Sequence, residues 1–423
     1  VPASRPPGGL GPGGRGRGAR PPPPMGTLSD WGAGANILKS LVGLGVLTLP
    51  YATAQVGWLA SSLGFAVVAV MSVQGILFAV MAREALEKSA SKDEAQEDSA
   101  LCESGSDVPD LKLAEHTMGF FDNVVRRAVG WQGQWLYTFS IAVGQLTTAI
   151  SYVDTIAVSM ESYMVHKIRI VTVLVIGAVL AVLSTVKTLT GVSYLSYVGL
   201  LTYVVIFVIL IFEVAESDGP ADGVVALRSV EGRAYGVWFG MAAFAFGGFA
   251  ISVVVYDDMK EPRHFQRVLS IAYFCCWLFY TSFALLGYVC YGNNAKEVVY
   301  FNFPAGSGHR NLTLISICVV LVLTYVLQMM PVYSWVESCT KDCLHYSMAR
   351  GVCIAFTVLV ACIVRDLVAT ISIGGALSAA ISAFVMPSVV YLAVCPRASW
   401  TDKLSAAALI LFGLCGAVRA VIQ

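Results

Sequence analysis

Residues 39–52 read KSLVGLGVLTLPYA and decide the fold, because they place Gly43, Gly45 and Pro50 inside an otherwise apolar run. Apolar runs of this kind are typical of membrane-spanning helices, whereas glycine and proline weaken or interrupt a helix. An interrupted spanning helix frees backbone groups in the middle of the membrane, where they can bind a ligand. The alternative is a kinked helix whose small residues only pack against a neighbour. Both interpretations are open from this stretch alone.

The composition of the chain also points to a membrane. Of its 423 residues, 57% are hydrophobic and only 13% are charged. A soluble protein carries about 25% charged residues, so we expect a protein embedded in a lipid bilayer. The 27 basic and 27 acidic side chains balance, which gives no reason to expect a nucleic-acid partner. Most of the 11 cysteines lie in or beside apolar stretches and are interpreted as small buried residues rather than disulfides.

Apolar segments follow one another from residue 31 to the C-terminus, and most are long enough to cross a hydrocarbon core of about 30 Å. Lipid offers no partner to backbone groups, so such segments must be helical. We therefore predict an all-α integral membrane protein with about 11 transmembrane helices. The predicted spans are 33–53, 57–82, 134–160, 168–185, 192–213, 235–257, 268–291, 312–335, 351–366, 369–394 and 404–421.

The segments outside these spans give the domain organisation. Residues 1–30 are expected to be a disordered leader rich in Pro, Gly and Arg, followed by one transmembrane domain over 31–423. Residues 83–133 are predicted to form an acidic cytoplasmic loop, interpreted as a solvated linker rather than a regulatory tail. The excess of Lys and Arg in the predicted inner loops favours a cytoplasmic N-terminus. The glycosylation acceptor pattern at 311–313 then lies outside, and whether it is used is open.

A second glycine interruption lies in the sixth span, where residues 244–249 read FAFGGF. Interruptions in the first and sixth spans, five helices apart, predict two inverted halves of five helices with a binding site between them. The eleventh helix falls outside this repeat. The two halves share no sequence similarity, so the five-plus-five inverted repeat with broken helices 1 and 6 follows from the positions of the breaks.

Polar residues inside the other spans mark candidate sites. Tyr152 belongs to a polar stripe of the third span, which implies an aqueous cavity or a helix contact. Asp154 is either a protonatable coupling residue or a structural acid near the outer interface, and we favour the second. Thr324 either offers a hydroxyl oxygen to a sodium ion or satisfies backbone freed by Pro331. Small residues at four-residue spacing over 374–382 predict a helix-packing face.

Sequence motifs of enzymes are missing from the chain. No phosphate-binding GxxxxGK[ST], HExxH or GxSxG pattern occurs, which argues against an ATP-driven pump and against a hydrolase. Cys339, Cys343 and His345 lack a nearby fourth ligand, so a zinc site is not expected. We predict no catalytic residues, no metal and no cofactor beyond a coupling ion.

Three motifs together resemble one known family. KSLVGLGVLTLPYA at 39–52, the FAFGGF break through MKEPRHF at 244–265, and GGALSAAISAFVMPSVVYL at 374–392 look like the amino acid/auxin permease family. That family lies within the amino acid-polyamine-organocation superfamily, which is built on the five-plus-five inverted repeat. The resemblance covers essentially residues 31–423. It implies secondary active transport of amino acids, mostly neutral ones, by alternating access and driven by a proton or sodium gradient.

The resemblance also implies a binding site at the two breaks. The backbone at the first break would bind the carboxylate or ammonium group of the substrate, the second break would face it, and Tyr152 would line a third wall. The residues carried over are Ser40, Gly43, Leu44 and Gly45 at the first break and Phe246, Gly247 and Gly248 at the second. Family members often have Ser or Glu, then Gly and His, where this chain has Gly247, Gly248 and Phe249, so the polarity of the pocket is open.

Physical reasoning supports this site. A zwitterion carries opposite charges a few ångströms apart, and the ends of broken helices offer matching dipoles without a buried side-chain charge. Lys39 and Asp154 are the exceptions to the near absence of charge inside the spans. Proton coupling is favoured over sodium because Thr324 is the only candidate side-chain ligand for sodium. The alternative is a non-transporting amino acid sensor, and the sequence indicates neither the oligomeric state nor whether the membrane is the plasma membrane or a vacuolar or lysosomal one.

Overall fold

The computed structural model describes residues 28–101, 120–163, 169–184, 192–216, 219–228, 232–304, 306–340 and 346–422. Within these ranges the chain is helical, and its one β pairing is an isolated bridge between Leu28 and Met259. The α-helices are α1 (Asp30–Leu41), α2 (Leu44–Val56), α3 (Trp58–Leu101), α4 (Phe120–Glu161), α5 (Arg169–Ser184), α6 (Val192–Glu216), α7 (Gly232–Ala245), α8 (Phe249–Asp258), α9 (Phe265–Tyr291), α10 (Gly308–Cys339), α11 (Tyr346–Ile363), α12 (Leu367–Ala379), α13 (Met386–Val394) and α14 (Trp400–Val421). Short 3-10 turns cover Pro262–His264, Gly292–Asn294 and Val299–Asn302, and a π-helical turn, Ala380–Val385, joins α12 to α13.

Four of these helices begin at a side-chain cap. The side-chain oxygens of Ser29, Ser307, Asp366 and Ser399 each accept a hydrogen bond from the backbone N–H three residues further on. The first N–H groups of a helix have no intrahelical partner, and Ser and Asp are among the residues that satisfy them best. The starts of α1, α10, α12 and α14 are therefore encoded locally in the sequence.

Helices overlap all the predicted spans, which confirms the all-α membrane class. Among the described residues, 7 helices are long and apolar enough to cross a membrane, or up to 8 if the bent pair α1–α2 forms one span. Helix α5 and the segment Ser347–Ile363 are apolar but shorter. The number of 11 crossings and the inverted repeat stay predictions.

The interior and the lipid-facing surface can be told apart by burial. The segment Arg233–Asp258 covers α8 and all but the first residue of α7. Of its most apolar stretch, 72% is buried inside the protein. The corresponding share for α14 is 22%. Apolar side chains that the protein itself leaves uncovered suit a lipid surface, so α14 lies at the periphery and the sixth predicted span lies at the centre.

Small residues bring α4 and α12 into close contact. A Cβ atom on Gly374 would lie 2.1 Å from Oγ1 of Thr147, and one on Gly144 would lie 2.2 Å from Oγ of Ser378. Neither position has room for a side chain, so the two backbones approach as closely as glycine allows. The packing face predicted for the tenth span is confirmed.

The segment predicted as an acidic loop over 83–133 is largely helical. Helix α3 continues to Leu101 and α4 begins at Phe120, with a kink at Gly130 where φ is 82°. Residues 83–101 are rich in Ala, Glu, Lys and Leu, which are strong helix formers whether or not they are apolar. Hydropathy therefore predicts the apolar part of this helix but not where the helix ends, and residues 102–119 lie outside the described part.

The last three residues of the predicted leader, 28–30, take part in the fold. Leu28 lies beside the end of α8, where its N–H donates to the carbonyl of Asp258 at 2.8 Å and its carbonyl accepts from the N–H of Lys260 at 2.9 Å. Ser29 then caps α1. These backbone bonds depend on a segment more than 200 residues away and cannot be found from local composition. Residues 1–27 lie outside the described part of the chain.

Candidate functional site at two helix breaks

The first break lies where the glycine pattern predicts it. Helix α1 ends at Leu41, α2 begins at Leu44, and the two axes are bent by 57°. Gly43 is the N-cap residue of α2 and supplies no side-chain hydrogen bond to the helix. The first N–H groups of α2 and the positive end of its dipole are therefore left without a capping side chain at this point.

The second break separates α7 from α8. Phe246, Gly247 and Gly248 connect Ala245, the last residue of α7, to Phe249, the first residue of α8. Gly248 is the N-cap residue and again gives no side-chain hydrogen bond. The two helices together still count as one apolar segment of 26 residues, so this break bends the chain less than the first one does.

A cavity of about 490 Å³ opens at the first break. Four of the predicted site residues line it, namely Ser40, Gly43, Tyr152 and Thr324. The cavity size lies in the range of small-molecule sites, about 300–1,000 Å³. Helices α1, α4 and α10, distant in sequence, thus bring their predicted residues to one space.

Hydroxyl groups of this cavity are available to a ligand. The hydroxyl of Tyr152 lies 3.8 Å from the position of a Cβ atom on Gly43, and no described residue forms a hydrogen bond with it. Thr324 donates its hydroxyl proton to the carbonyl of Val320 at 2.6 Å, which leaves its oxygen lone pairs free to accept. The cavity therefore offers one open donor and at least two acceptors.

Two charged residues of opposite sign also line the large cavity. Lys39 stands in the last turn of α1, and Asp258 is the last residue of α8. Neither was predicted as a site residue. Lys39 could have been found, because a charge inside a span is costly and marks a water-filled or functional face. Asp258 carries no such signal, because it lies at the end of its span.

A smaller cavity of about 90 Å³ lies beside the second break and is lined by Gly247, Thr148 and Ser378. Gln328 lines both cavities, and its Nε2 donates to Oε1 of Gln145. This amide pair joins α10 to α4 between the two spaces. Gly247 is thus placed near the predicted site but in a separate, narrower compartment.

Three of the residues predicted at the two breaks pack against other parts of the protein and line neither cavity. A Cβ atom on Gly45 would lie 2.8 Å from Cα of Ala245, so α2 packs directly on the end of α7. Leu44 and Phe246 are 1% and 2% exposed and belong to the apolar core. The motif predicts the position of the break, but the direction each residue faces depends on the tilt of the two half-helices.

Gly248 and Asp154 line neither of the two cavities. A Cβ atom on Gly248 would lie 2.6 Å from Cδ2 of Leu41, which makes this residue a contact between the two breaks. The carboxylate of Asp154 forms an ion pair with Arg169 at the start of α5. Because this buried charge has its own partner, Asp154 is not open to a ligand in this structure.

The sequence of nearly the whole chain matches one protein family. Residues 26–423 match the model of a family described as "Transmembrane amino acid transporter protein". The chain belongs to this family. The resemblance drawn from the three motifs is thereby confirmed, and the family assignment makes the chain a multi-pass membrane protein of a transporter family rather than an enzyme.

Individual relatives of the chain are also named as amino acid transporters. The chain is 25% identical to amino acid transporter ANT1 of Arabidopsis thaliana over 314 residues, 72% of this chain and 66% of that protein. It is 27% identical to amino acid transporter AVT3C of Arabidopsis thaliana over 196 residues, 46% and 44% of the two chains. Identity to vacuolar amino acid transporter 4 of Saccharomyces cerevisiae is 30% over 119 residues, 28% and 16% of the two chains. The matches thus span two thirds or less of these relatives' length.

A solved structure shows the same fold. The chain superposes on MhsT, crystallised in complex with L-phenylalanine, with a TM-score of 0.52 and 10% sequence identity. The superposition covers 92% of this chain and 96% of that one. At this level of identity the likeness concerns the fold alone.

Proposed function

We propose that this chain moves neutral amino acids across a membrane and binds them in the large cavity at the first break. The observation that carries the proposal is the uncapped N-terminus of α2 at Gly43, on the wall of a cavity of about 490 Å³. Backbone N–H groups and the positive helix end favour an anionic group, which in an amino acid is the carboxylate. The open hydroxyl of Tyr152 stands opposite as a further donor.

The charge balance of the cavity supports a neutral substrate. Lys39 and Asp258 contribute one positive and one negative charge to its lining, and Val42, Ile251 and Val254 add apolar surface. These two charges cancel, so the lining carries no net charge, as an amino acid with an uncharged side chain also does. An ionised side chain on the substrate would lose its hydration against this apolar surface, which costs several kcal/mol for an unpaired charge.

The position of the cavity relative to the buried Tyr300 supports alternating access. The cavity extends from Gly43 to Leu28 and Asp258, at the ends predicted to be cytoplasmic. In the opposite direction Tyr300 is fully buried, and its hydroxyl lies 3.1 Å from that of Ser159, about two helical turns beyond Tyr152. Rocking of helices 1, 2, 6 and 7 against the rest would close the first side and open the second.

Coupling to protons is proposed rather than coupling to sodium. A sodium ion needs several oxygen ligands, and Thr324 is the predicted side-chain ligand that reaches the large cavity. Asp154 was predicted as a possible protonatable residue. Its carboxylate is paired with Arg169 and lines neither cavity, which argues against Asp154 as the proton site. Replacing Thr324 with Ala is expected to leave the choice of coupling ion unchanged.

Uptake into liposomes tests the proposal. Purified protein is reconstituted, and radiolabelled neutral, acidic and basic amino acids are offered under an imposed proton gradient, a sodium gradient or neither. We expect concentrative uptake of neutral amino acids with the proton gradient alone, and background uptake in empty liposomes. Absence of gradient-dependent flux for every neutral amino acid would contradict transport, and saturable binding without flux would identify a sensor instead.

The cellular membrane can be tested separately. A relative named as a vacuolar transporter in yeast supports a vacuolar or lysosomal membrane as the first location to test, with the plasma membrane as the alternative. A fluorescent fusion imaged beside markers for both membranes distinguishes the two. Protease protection of an N-terminal tag then tests the predicted cytoplasmic N-terminus.

A further inference from the structure

One buried hydroxyl group connects the two helix breaks. Tyr280 lies on α9 and is 0% exposed. Its O–H is within hydrogen-bond distance of the carbonyl oxygen of Leu41, at 2.6 Å, and of Ala245, at 3.1 Å. Leu41 is the last residue of α1 and Ala245 is the last residue of α7. One hydroxyl group therefore reaches the carbonyl ends of two interrupted helices.

Both helix ends that the Tyr280 hydroxyl contacts are C-terminal and therefore electronegative. The last carbonyls of a helix have no intrahelical donor and form the negative end of its dipole. Two such ends converge on one point between the breaks. In membrane proteins, carbonyls at the ends of interrupted helices are ligands for sodium ions or protons. The point between Leu41 and Ala245 thus has the chemistry of a cation site.

The space at this point is filled by the tyrosine itself. The ring of Phe246 packs on the ring of Tyr280 with centroids 4.9 Å apart. On the other side, Gly45 and Ala245 are in backbone contact, since a Cβ atom on Gly45 would lie 2.8 Å from Cα of Ala245. The hydroxyl is therefore enclosed by the elements that a cation would also have to contact.

We propose that the Tyr280 hydroxyl takes the place of a cation between the two breaks. Its proton supplies the positive charge density that both carbonyls need, and its ring excludes a sodium ion from the same position. Tyr280 is a positioning residue, because it touches the half-helices and not the cavity where the substrate is proposed to bind. This role rests on the proposed transport function. It gives one reason why sodium is not the coupling ion.

Three variants separate this role from ordinary packing. Tyr280→Phe removes the hydroxyl and keeps the ring, so no cation can enter. Tyr280→Ser and Tyr280→Asn remove the ring and leave space and an oxygen ligand beside the two carbonyls. Tyr273→Phe is the matched control, because Tyr273 lies two turns away on α9, is 1% exposed, and its hydroxyl bonds to neither carbonyl.

Thermal unfolding of the purified proteins in sodium chloride and in choline chloride provides the readout. We expect the unfolding midpoint of wild type to be the same in the two salts, and likewise that of Tyr273→Phe. Tyr280→Phe is expected to have a lower midpoint than wild type in both salts. Sodium is expected to raise the midpoint of Tyr280→Ser or Tyr280→Asn by about 3 °C or more, because a ligand that binds only the folded state stabilises it.

The proposal is overturned if Tyr280→Phe unfolds like Tyr273→Phe, or if the Ser and Asn variants respond to sodium no more than wild type does. It is also overturned if neither Tyr280→Ser nor Tyr280→Asn folds in sodium chloride. According to the proposal, a sodium ion bound to the two carbonyls replaces the lost hydroxyl and restores the fold. Unfolding does not depend on flux. A protein that moved no amino acid would still show the salt effect, so failure of the transport proposal is distinguishable from failure of this one.

Discussion

The two helix breaks are both glycine interruptions, but their surroundings differ. A Cβ atom on Gly43 would have as its nearest neighbour the hydroxyl of Tyr152 at 3.8 Å, an ordinary contact across open space. A Cβ atom on Gly248 would lie 2.6 Å from the side chain of Leu41. The first break bends the chain by 57°, whereas α7 and α8 continue as one apolar segment. The first break is thus an opening and the second is a packed joint.

This difference shows that a glycine motif has two physical uses. Glycine permits a helix to stop, and it permits another backbone to come close. At Gly43 the missing side chain leaves room for a ligand, while at Gly45 it leaves room only for Ala245. Substitutions of graded size separate the two uses.

The largest effect is expected at the contact between the breaks. Gly45→Val places a side chain 2.8 Å from Cα of Ala245, where only a backbone shift makes room. We expect a loss of about 3 kcal/mol in the free energy of unfolding and little monodisperse protein in size-exclusion chromatography. Gly43→Ala, two residues away, is the control and should purify like wild type. A well-folded Gly45→Val protein would show that the two breaks do not pack as described.

A smaller, purely functional effect is expected at the opening. Gly43→Leu fills the cavity beside Tyr152 without meeting backbone, so the protein should fold while uptake falls at least about tenfold, equivalent to about 1.4 kcal/mol. Initial rates of uptake into liposomes measure this, with Gly43→Ala as the control of smaller size. Equal rates for the leucine and alanine variants would remove the first break from the substrate site.

The packed joint can be tested by a double-mutant cycle. Gly248→Ala crowds the side chain of Leu41, and we expect it to cost about 1–2 kcal/mol of stability. Leu41→Ala opens space at the same place, so the double variant should be more stable than the sum of the single effects predicts, by at least about 0.5 kcal/mol. Thermal or chemical unfolding gives these values. Strict additivity would mean that Gly248 and Leu41 are not in contact.

The smallest effect is expected at Gly247. Its Cβ atom would lie 3.0 Å from the carbonyl of Phe244 in the preceding turn, and the residue faces the cavity of about 90 Å³. Gly247→Ala should therefore alter uptake by less than about twofold, within the range of about 0.5 kcal/mol typical of mild substitutions. A loss as large as that of Gly43→Leu would move the substrate towards the second break.

Local patterns were sufficient to locate the apolar helices and the positions of the breaks. Hydropathy predicts the spans because lipid imposes one requirement on every crossing segment, and glycine predicts where helices stop. Ser40, Gly43, Tyr152 and Thr324 were also predicted and line the same cavity. Ser40 and Gly43 were carried over from the family resemblance, whereas Tyr152 and Thr324 also stand out locally as polar residues inside apolar spans.

Other features depend on contacts between distant segments. Leu44 and Phe246 were predicted as binding residues but are buried in the core, because the tilt of each half-helix decides which residues face the cavity. Tyr280 was not predicted at all. A tyrosine in an apolar span has no distinguishing pattern, and its two acceptors are backbone carbonyls of other helices, which any residue type provides.

Direct binding of a radiolabelled neutral amino acid to purified protein tests most directly whether the first break is the substrate site. Wild type, Gly43→Leu and Gly247→Ala are compared by equilibrium binding, with displacement by unlabelled amino acid. We predict saturable binding to wild type and Gly247→Ala, and at least about tenfold weaker binding to Gly43→Leu, because only the leucine side chain fills the large cavity. Unchanged affinity in folded Gly43→Leu protein would contradict this site.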